Sequence, residues 1–516
     1  MTVSPSHSPQ YILALDLGTT GNRAFLFDQQ GKIVNQSYKE LTQHYPQPGW
    51  LEHDPLEIWR DTQWVMQTVI QQAEIKPDQI RAIGLTVQRE TCLLWDKTTG
   101  QPLHNAIVWQ DRRTAPLCNQ LREQGYTQEI YDRTGLVVDA YFSGTKLAWL
   151  LEHAVTPAVN LENVLAGTID SWVLWNLTGR RVHATDDSNA SRTMLFNLKS
   201  REWDVSLLKL LGIPAHLLPV IQPSLSEFGL TDAGLLGVEI PIMAILGDQQ
   251  AALFGQGCDR PGMTKCTYGT GCFLVAHTGS EIVRSQHQLL STIAWTQASS
   301  PLIPHPPSPI PQYSALGYAL EGSMFTTGAC IQWLRDGVGL IQTAAETEAL
   351  ATQVRNNGGV YFVPALSGLG APHWDMSARG AFLGITGGVK KEHMVRSVLE
   401  AIAFQVKEVV LAINEDSPSN VTQLKVDGGA CENNFLMQFQ ADLLGIPVER
   451  PVVRDSTVQG AAFAAGLASG FWHSYAELIS HRQIDRIFEP GAGANQALDN
   501  FATWQKAVER AKHWTP

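Results

Sequence analysis

Two carboxylates stand where apolar runs of the chain meet turns. Asp16 ends the run from Tyr11 to Leu15 and opens the stretch Asp16-Leu17-Gly18-Thr19-Thr20-Gly21-Asn22-Arg23, while Asp248 follows Ala244-Ile245-Leu246-Gly247 and precedes an Ala-rich segment. The first stretch offers backbone N–H groups freed by glycine, two hydroxyls and a guanidinium, all suited to phosphate oxygens. Asp16 is a hard oxygen ligand of the kind that holds Mg²⁺ directly or through water. The same residues also make an ordinary turn. Asp248, at a strand-to-helix junction, reads either as a helix N-cap or as a site carboxylate able to take a proton. No GxxxxGK[ST] occurs, nor a GxGxxG after a strand, so any phosphate chemistry must come from turns of this other kind.

The elements that position these groups follow from periodicity. Residues 11–34 alternate as two strand-like arms around the Gly/Thr tip and predict a β-hairpin. Apolar spacing from Pro55 to Ala73 predicts a helix, and Ile80 to Gln88 a short buried strand. Met263 to Thr278 repeats the hairpin design, with its own Gly269-Thr270-Gly271 tip. A recurrence roughly 250 residues away is a domain-sized repeat, not a solenoid period. It predicts two related α/β halves, 1–257 and 258–516. Further on, helical spacing around Gly328 places Gln332 on the same face. A strand then runs into Gly428-Gly429 ahead of a helix starting near Asn433 and Asn434, an arrangement suited to close approach of a nucleotide. The Pro-rich segment 299–314 reads as an exposed extended loop.

Composition narrows the function classes. A chain of 516 residues exceeds the roughly 250 to 300 that one core supports. At 44% hydrophobic and 17% charged it has material for dense interiors. The net charge of −12, with no basic run, argues against nucleic acid. Seven cysteines without a CxxC pair argue against both a disulfide framework and a thiolate zinc site. The start lacks a signal-peptide pattern and no apolar stretch approaches about 18 residues, so the expectation is a cytoplasmic protein without membrane insertion.

The chain resembles the FGGY family of carbohydrate kinases, and within it the members that act on glycerol. The resemblance runs from Tyr11 to about Trp472 and rests on LDLGTT, YPQPGWLEHDP, QRET, NAIVWQDRRT, YFSGTK, TDDSNASRTMLFN, GDQQAALFGQ, TYGTGCF, ALEGSMF, SGLGAPHWD and VDGGACENNFLMQFQ. It implies two ribonuclease H-like domains of the actin, hexokinase and Hsp70 type, with an interdomain active-site cleft. It implies ATP-dependent phosphorylation of glycerol to sn-glycerol 3-phosphate, with Mg²⁺ at Asp16. By resemblance Thr19, Thr20, Gly21, Arg23 and Thr270 meet the nucleotide phosphates, with Gly328, Gln332, Gly429 and Asn433 around the rest of the nucleotide. Arg89, Glu90, Tyr141, Asp248 and Gln249 hold the polyol, Trp109 and Phe273 supply apolar walls, and Asp248 is the catalytic base. The family often forms homodimers or homotetramers.

Adjacent residues on a regular strand point to opposite faces, so Arg89 and Glu90 can share a ligand only where the strand ends or bulges. The tip departs from the DQGTTSSR usual in glycerol-acting members at Leu17, Gly21 and Asn22. The basic loop that some bacterial members use for fructose 1,6-bisphosphate is absent. Two other readings compete: a kinase of a pentulose or aldonate, and a nucleotide-switched binding protein sharing the architecture.

Overall fold

A computed structural model describes residues 9–298 and 313–515. Nearly all of the Pro-rich segment 299–314 and most of the leader lie outside the described residues. The chain forms two compact units that interleave in sequence. Unit 1 comprises Met1–Gly257, Thr292–Tyr318 and Thr457–His481; unit 2 comprises Cys258–Ser291, Ala319–Ser456 and Arg482–Pro516.

Unit 1 is built on a five-stranded sheet in the order Ile242–Gly247, Ile80–Val87, Tyr11–Leu17, Gly21–Phe27, Ile33–Glu40. The predicted hairpin is its centre, pairing Leu15 with Ala24, Asp16 with Arg23 and Leu17 with Asn22. Ile80–Val87 runs parallel to the first strand and Ile242–Gly247 parallel to Ile80–Val87. Both therefore deliver their C-terminal ends to the edge that carries the hairpin tip. The predicted helix spans Pro55–Gln72; Asp54 caps it by accepting from the Leu56 N–H at 2.9 Å, and proline takes the first turn. Its inward face, Ile58, Val65, Met66 and Val69, joins Leu13, Leu15, Leu26, Ile83 and Leu85 in the core. A smaller sheet, in the order Glu52–His53, Ala106–Ile107, Cys92–Asp96, Val164–Thr168, carries the residues after Gln88-Arg89-Glu90-Thr91.

Unit 2 repeats the plan. The second half of Tyr313–Met324 is followed across the sheet by Cys272–Gly279, Thr264–Tyr268, Leu424–Asp427, Val448–Pro451 and Ile484–Phe488. Counted in chain order within each unit, both sheets contain the run third, second, first, fourth, fifth. The long helix Lys391–Asp416 packs Val395, Leu399, Ile402, Val406 and Val409 into this unit's core, together with Phe404 and Trp504. The helical spacing around Gly328 proves to be a short α-helix, Gly328–Gln332, continued by a π-helical turn at Trp333–Gly337. Tyr361–Val363 is a three-residue strand paired with Ala381–Leu383 in a separate two-stranded sheet.

Where the sequence places a single boundary after residue 257, residues 457–481 return to unit 1. The physical reason is close helix packing. A Cβ at Gly84 would lie 2.1 Å from the Ala461 carbonyl oxygen, and one at Gly460 would lie 1.8 Å from that of Ala251. Helix Ser456–Ala468 thus sits backbone against backbone on unit 1, through glycines that admit no side chain. All seven cysteines are buried and free. Among the described residues no helix is long and apolar enough to cross a membrane.

Candidate functional site

At the first hairpin tip, the Gly18 N–H donates to the Gly21 carbonyl at 3.0 Å and closes the turn. Asp16 is buried and its carboxylate accepts from Arg23 at 2.6 Å, so the two charged groups of the tip face each other on neighbouring strands. The three unusual tip residues have local explanations. Leu17 is fully buried in the core. The Asn22 side chain points inward, donating to the Ile58 carbonyl at 2.9 Å and to Thr62 at 3.3 Å. A Cβ at Gly21 would lie 2.5 Å from both the Lys39 carbonyl and the Tyr38 ring, and the Lys39 backbone leaves no room for a serine here.

A ring of hydrogen bonds ties this tip to the turn at Gln88. Gln88 Nε2 donates to the Gly18 carbonyl at 3.2 Å, and Thr91 Oγ1 donates to Gln88 Oε1 at 2.9 Å. The Trp109 backbone N–H donates to Thr91 Oγ1 at 3.2 Å, and its indole N–H to Thr19 Oγ1 at 2.8 Å, which closes the ring. Behind it, Gln43 Nε2 donates to the Thr19 carbonyl, and His53 lies between Gln43 Oε1 at 3.0 Å and Gln88 at 3.3 Å. Burial first, and His44 second, push the His53 imidazole down to about 3. It is therefore neutral, with Nε2–H donating to Gln43 and Nδ1 accepting from Gln88.

The strand ends at Val87 and the next begins at Cys92, and Glu90 between them takes a left-handed φ of 62°. The bend meets the geometric requirement for Arg89 and Glu90 to share one side. Arg89 is the hub. Its Nε lies 3.0 Å from Asp248 Oδ1 and 3.9 Å from Glu90 Oε1, while its guanidinium reaches Gln250 Oε1 at 3.3 Å and the Tyr141 hydroxyl at 3.5 Å. Arg89 and Glu90 are each only 2% exposed, whereas the Asp248 side chain keeps 29% exposure. Gly247 is the N-cap of helix Asp248–Gly255, and the Asp248 carboxylate accepts from its neighbour Gln249 instead of capping. The cap reading of Asp248 is therefore excluded. A Cβ on Gly247 would strike the Arg89 side chain at 2.6 Å, so glycine here makes room for the hub. The Trp109 and Tyr141 rings meet edge to face at 5.6 Å. Gln249 is buried on the same helix as Asp248.

In unit 2, the second hairpin tip is held from below. The Gly328 N–H donates to the Gly269 carbonyl at 3.0 Å, and those of Thr327 and Ala329 donate to the Thr270 carbonyl at 3.0 and 3.1 Å. A Cβ on Gly328 would lie 2.5 Å from the Gly269 oxygen, so this contact needs glycine. Gln332 ends that short helix. After Leu424–Asp427 the chain turns at Gly428, with φ 82°, makes a 3-10 turn over Gly429–Glu432, and enters helix Asn434–Leu444. Asn433 caps that helix by accepting from the Leu436 N–H at 2.9 Å, and donates to Thr347 at 3.0 Å. Gly429 has open space where a Cβ would stand. Phe273 is buried on the strand Cys272–Gly279 of this unit. Gln88, Thr91, His53, Gln250 and Arg192 escape the sequence reading; for Gln88 and Thr91 the signal lay inside QRET itself.

The N-terminal domain of the FGGY family of carbohydrate kinases matches residues 11–255 and its C-terminal domain residues 264–469. The chain is 72% identical over 507 residues to a glycerol kinase of Trichormus variabilis, covering 98% of this chain and 99% of the relative. A crystal structure of Plasmodium falciparum glycerol kinase with ADP superposes with a TM-score of 0.87 at 34% identity, covering 98% and 99% of the two chains. A gluconate kinase of Lactobacillus acidophilus shares the fold, with a TM-score of 0.85 at 22% identity over 98% of each chain.

Proposed function

The chain belongs to the FGGY family of carbohydrate kinases, and from that membership we infer that it transfers the γ-phosphoryl group of ATP to glycerol, giving sn-glycerol 3-phosphate and ADP. High identity to a glycerol kinase over nearly the whole chain supports glycerol as the acceptor. The observation that carries the residue assignment is the hub at Arg89, whose side chain contacts Asp248, Glu90 and Tyr141. A small polyol needs paired donors and acceptors for its hydroxyls and an aromatic surface for its C–H face. Arg89, Glu90, Tyr141 and Gln249 supply the first, and Trp109 the second.

In the proposed reaction the terminal hydroxyl oxygen bonds to the γ-phosphorus as the bond from that phosphorus to the β–γ bridging oxygen breaks. The hydroxyl proton passes to Asp248, a role carboxylates also fill in protein kinases. Positioning and charge neutralisation do most of this work, because the transition state is loose. Thr19, Thr20, Gly21 and Arg23 are assigned to the phosphates from unit 1. Thr270, Gly328, Gln332, Gly429 and Asn433 are assigned to the nucleotide from unit 2, and Gly328 and Gly429 fit close backbone approach. Mg²⁺ is assigned beside Asp16, a buried carboxylate at the phosphate-binding tip, since the ion is commonly held by one or two carboxylates together with phosphates and water. When bound, the ion neutralises charge on the phosphate oxygens. The proposed compartment is the cytoplasm.

Asp248→Asn is expected to lower glycerol-dependent turnover by about a thousandfold or more while leaving ADP binding at the parent value. Near-parent turnover would remove Asp248 as the base. A coupled assay of ADP release with glycerol, xylulose and gluconate tests the acceptor; a higher kcat/KM with either sugar derivative would overturn glycerol.

A further inference from the structure

Glu90 is buried in a left-handed turn, and only when ionised does it offer both oxygens as strong acceptors to a polyol. A carboxylate so far from water needs an opposite charge in contact. Arg89 meets that need only in part, with its Nε 3.9 Å from Glu90 and 3.0 Å from Asp248. The close partner comes from a segment with no part in the assignments above. Arg192 Nε donates to Glu90 Oε1 at 2.7 Å, and its side chain is fully buried.

Arg192 is held rigidly for this contact. Its N–H donates to the Asn189 carbonyl at 3.0 Å, just after a one-turn helix that Asp186 caps through the Ser188 and Asn189 N–H groups. The Thr193 carbonyl accepts from the Gly144 N–H at 2.7 Å, which fastens this segment to the helix following Tyr141. The Arg192 guanidinium also lies 5.6 Å from the Tyr141 ring centroid and 5.4 Å from that of Phe142. One cation thus meets Glu90 through Nε and lies over the Tyr141 ring, a combination the ammonium of lysine does not reproduce.

We propose that Arg192 is a positioning residue for the polyol: it keeps Glu90 ionised and aimed, and fixes the face of Tyr141, without itself touching the reacting atoms. This rests on the assignment of Glu90 to the polyol. The other charged or titratable groups around Glu90 are Arg89 on the same turn, Asp248 beyond Arg89, Tyr141, and Lys146 from helix Ser143–His153. Lys146 is occupied by the Tyr141 carbonyl at 2.6 Å and acts on Glu90 only at longer range. Removing Arg192 takes away the nearer of the two cations facing the Glu90 carboxylate, which disfavours its charged form.

The test uses the full-length enzyme with Arg192→Met, Arg192→Lys and Glu90→Gln. Arg192→Met is expected to raise KM for glycerol at least about tenfold, to leave KM for ATP at the parent value, and to move the acidic limb of kcat/KM for glycerol to higher pH. Arg192→Lys keeps the charge and loses the plane. It is expected to raise glycerol KM severalfold while the acidic limb stays in place, and it decides the matter alone if the Met variant does not fold. Parent glycerol KM in Arg192→Lys, or a parent acidic limb in a folded Arg192→Met, overturns the proposal. Glu90→Gln separates the two levels. If it raises glycerol KM while the Arg192 variants do not, only the positioning role fails; if it leaves glycerol KM unchanged, the polyol assignment fails and this inference with it.

Discussion

His53 can make its observed hydrogen bonds only as a neutral imidazole, with Nε2–H to Gln43 and Nδ1 receiving Gln88. Its proton affinity falls from the ordinary 6.5 to about 3 through burial and then His44. Between those values the unfolded chain binds a proton that the folded chain refuses. The stability this group contributes is complete above pH 6.5 and is lost as pH falls toward 3. His183, pushed down to about 4 by burial, acts in the same direction. Asp170 opposes both, since burial lifts it to about 6 and the folded chain keeps its proton where the unfolded chain has released it. The clean measurement is therefore a difference between proteins. Unfolding free energy of the parent should fall more steeply than that of His53→Gln as pH drops from 6.5 to 5, by up to about 1.4 kcal/mol per pH unit. Parallel slopes would mean that His53 does not titrate as described. Asp16 and Thr19 stand out in the sequence as a carboxylate and a hydroxyl at a glycine-rich tip, whereas Arg89 and Glu90 enter as candidates only through the resemblance of QRET to the family. His53 and Arg192 were not legible there, because their roles lie in partners 35 and 102 residues away.

At the scale of elements, both hairpins and the helix Pro55–Gln72 follow from alternation, glycine tips and capping, which are local signals. The docking of helix Ser456–Ala468 is a different matter. Its run of Ala and Gly states that something packs closely, but composition alone does not name the surface. That surface includes Gly84 on the strand Ile80–Val87 and the Ala251 carbonyl. Gly84→Ala places a methyl group 2.1 Å from the Ala461 oxygen, backbone that has no rotamer to yield. The expected loss is about 2–3 kcal/mol, read as a fall of roughly 3–5 °C in the thermal midpoint. Gly388→Ala, where a Cβ meets nothing within 4 Å, is the matched control and should move the midpoint by no more than about 1–2 °C. Equal midpoints for the two variants would show that the helix yields at this contact.

At the scale of the whole molecule, the sequence shows the duplication through its two Gly-Thr tips, and the strand order within each unit repeats accordingly. It does not show the interleaving, because a segment's partner is fixed by three-dimensional packing and not by its place in the chain. Two units with separate cores, one carrying the hydrogen-bonding assignments for the polyol and the other the nucleotide assignments beyond the unit 1 phosphate tip, should respond differently to the two substrates. The polyol's hydrogen-bonding assignments, Arg89, Glu90, Tyr141, Asp248 and Gln249, belong to unit 1 and its wall Phe273 to unit 2, while Thr270, Gly328, Gln332, Gly429 and Asn433 belong to unit 2 and the phosphate residues Thr19, Thr20, Gly21 and Arg23 to unit 1. Binding stabilises the state that binds, and local opening of the contacted segments is suppressed first. Amide hydrogen exchange with glycerol alone is therefore expected to slow at residues 88–92, 141–147 and 247–251. With ADP alone it is expected to slow at 327–333 and 428–437. Protection of 428–437 by glycerol, with none at 88–92, would reverse the division of labour between the units, whatever the overall activity.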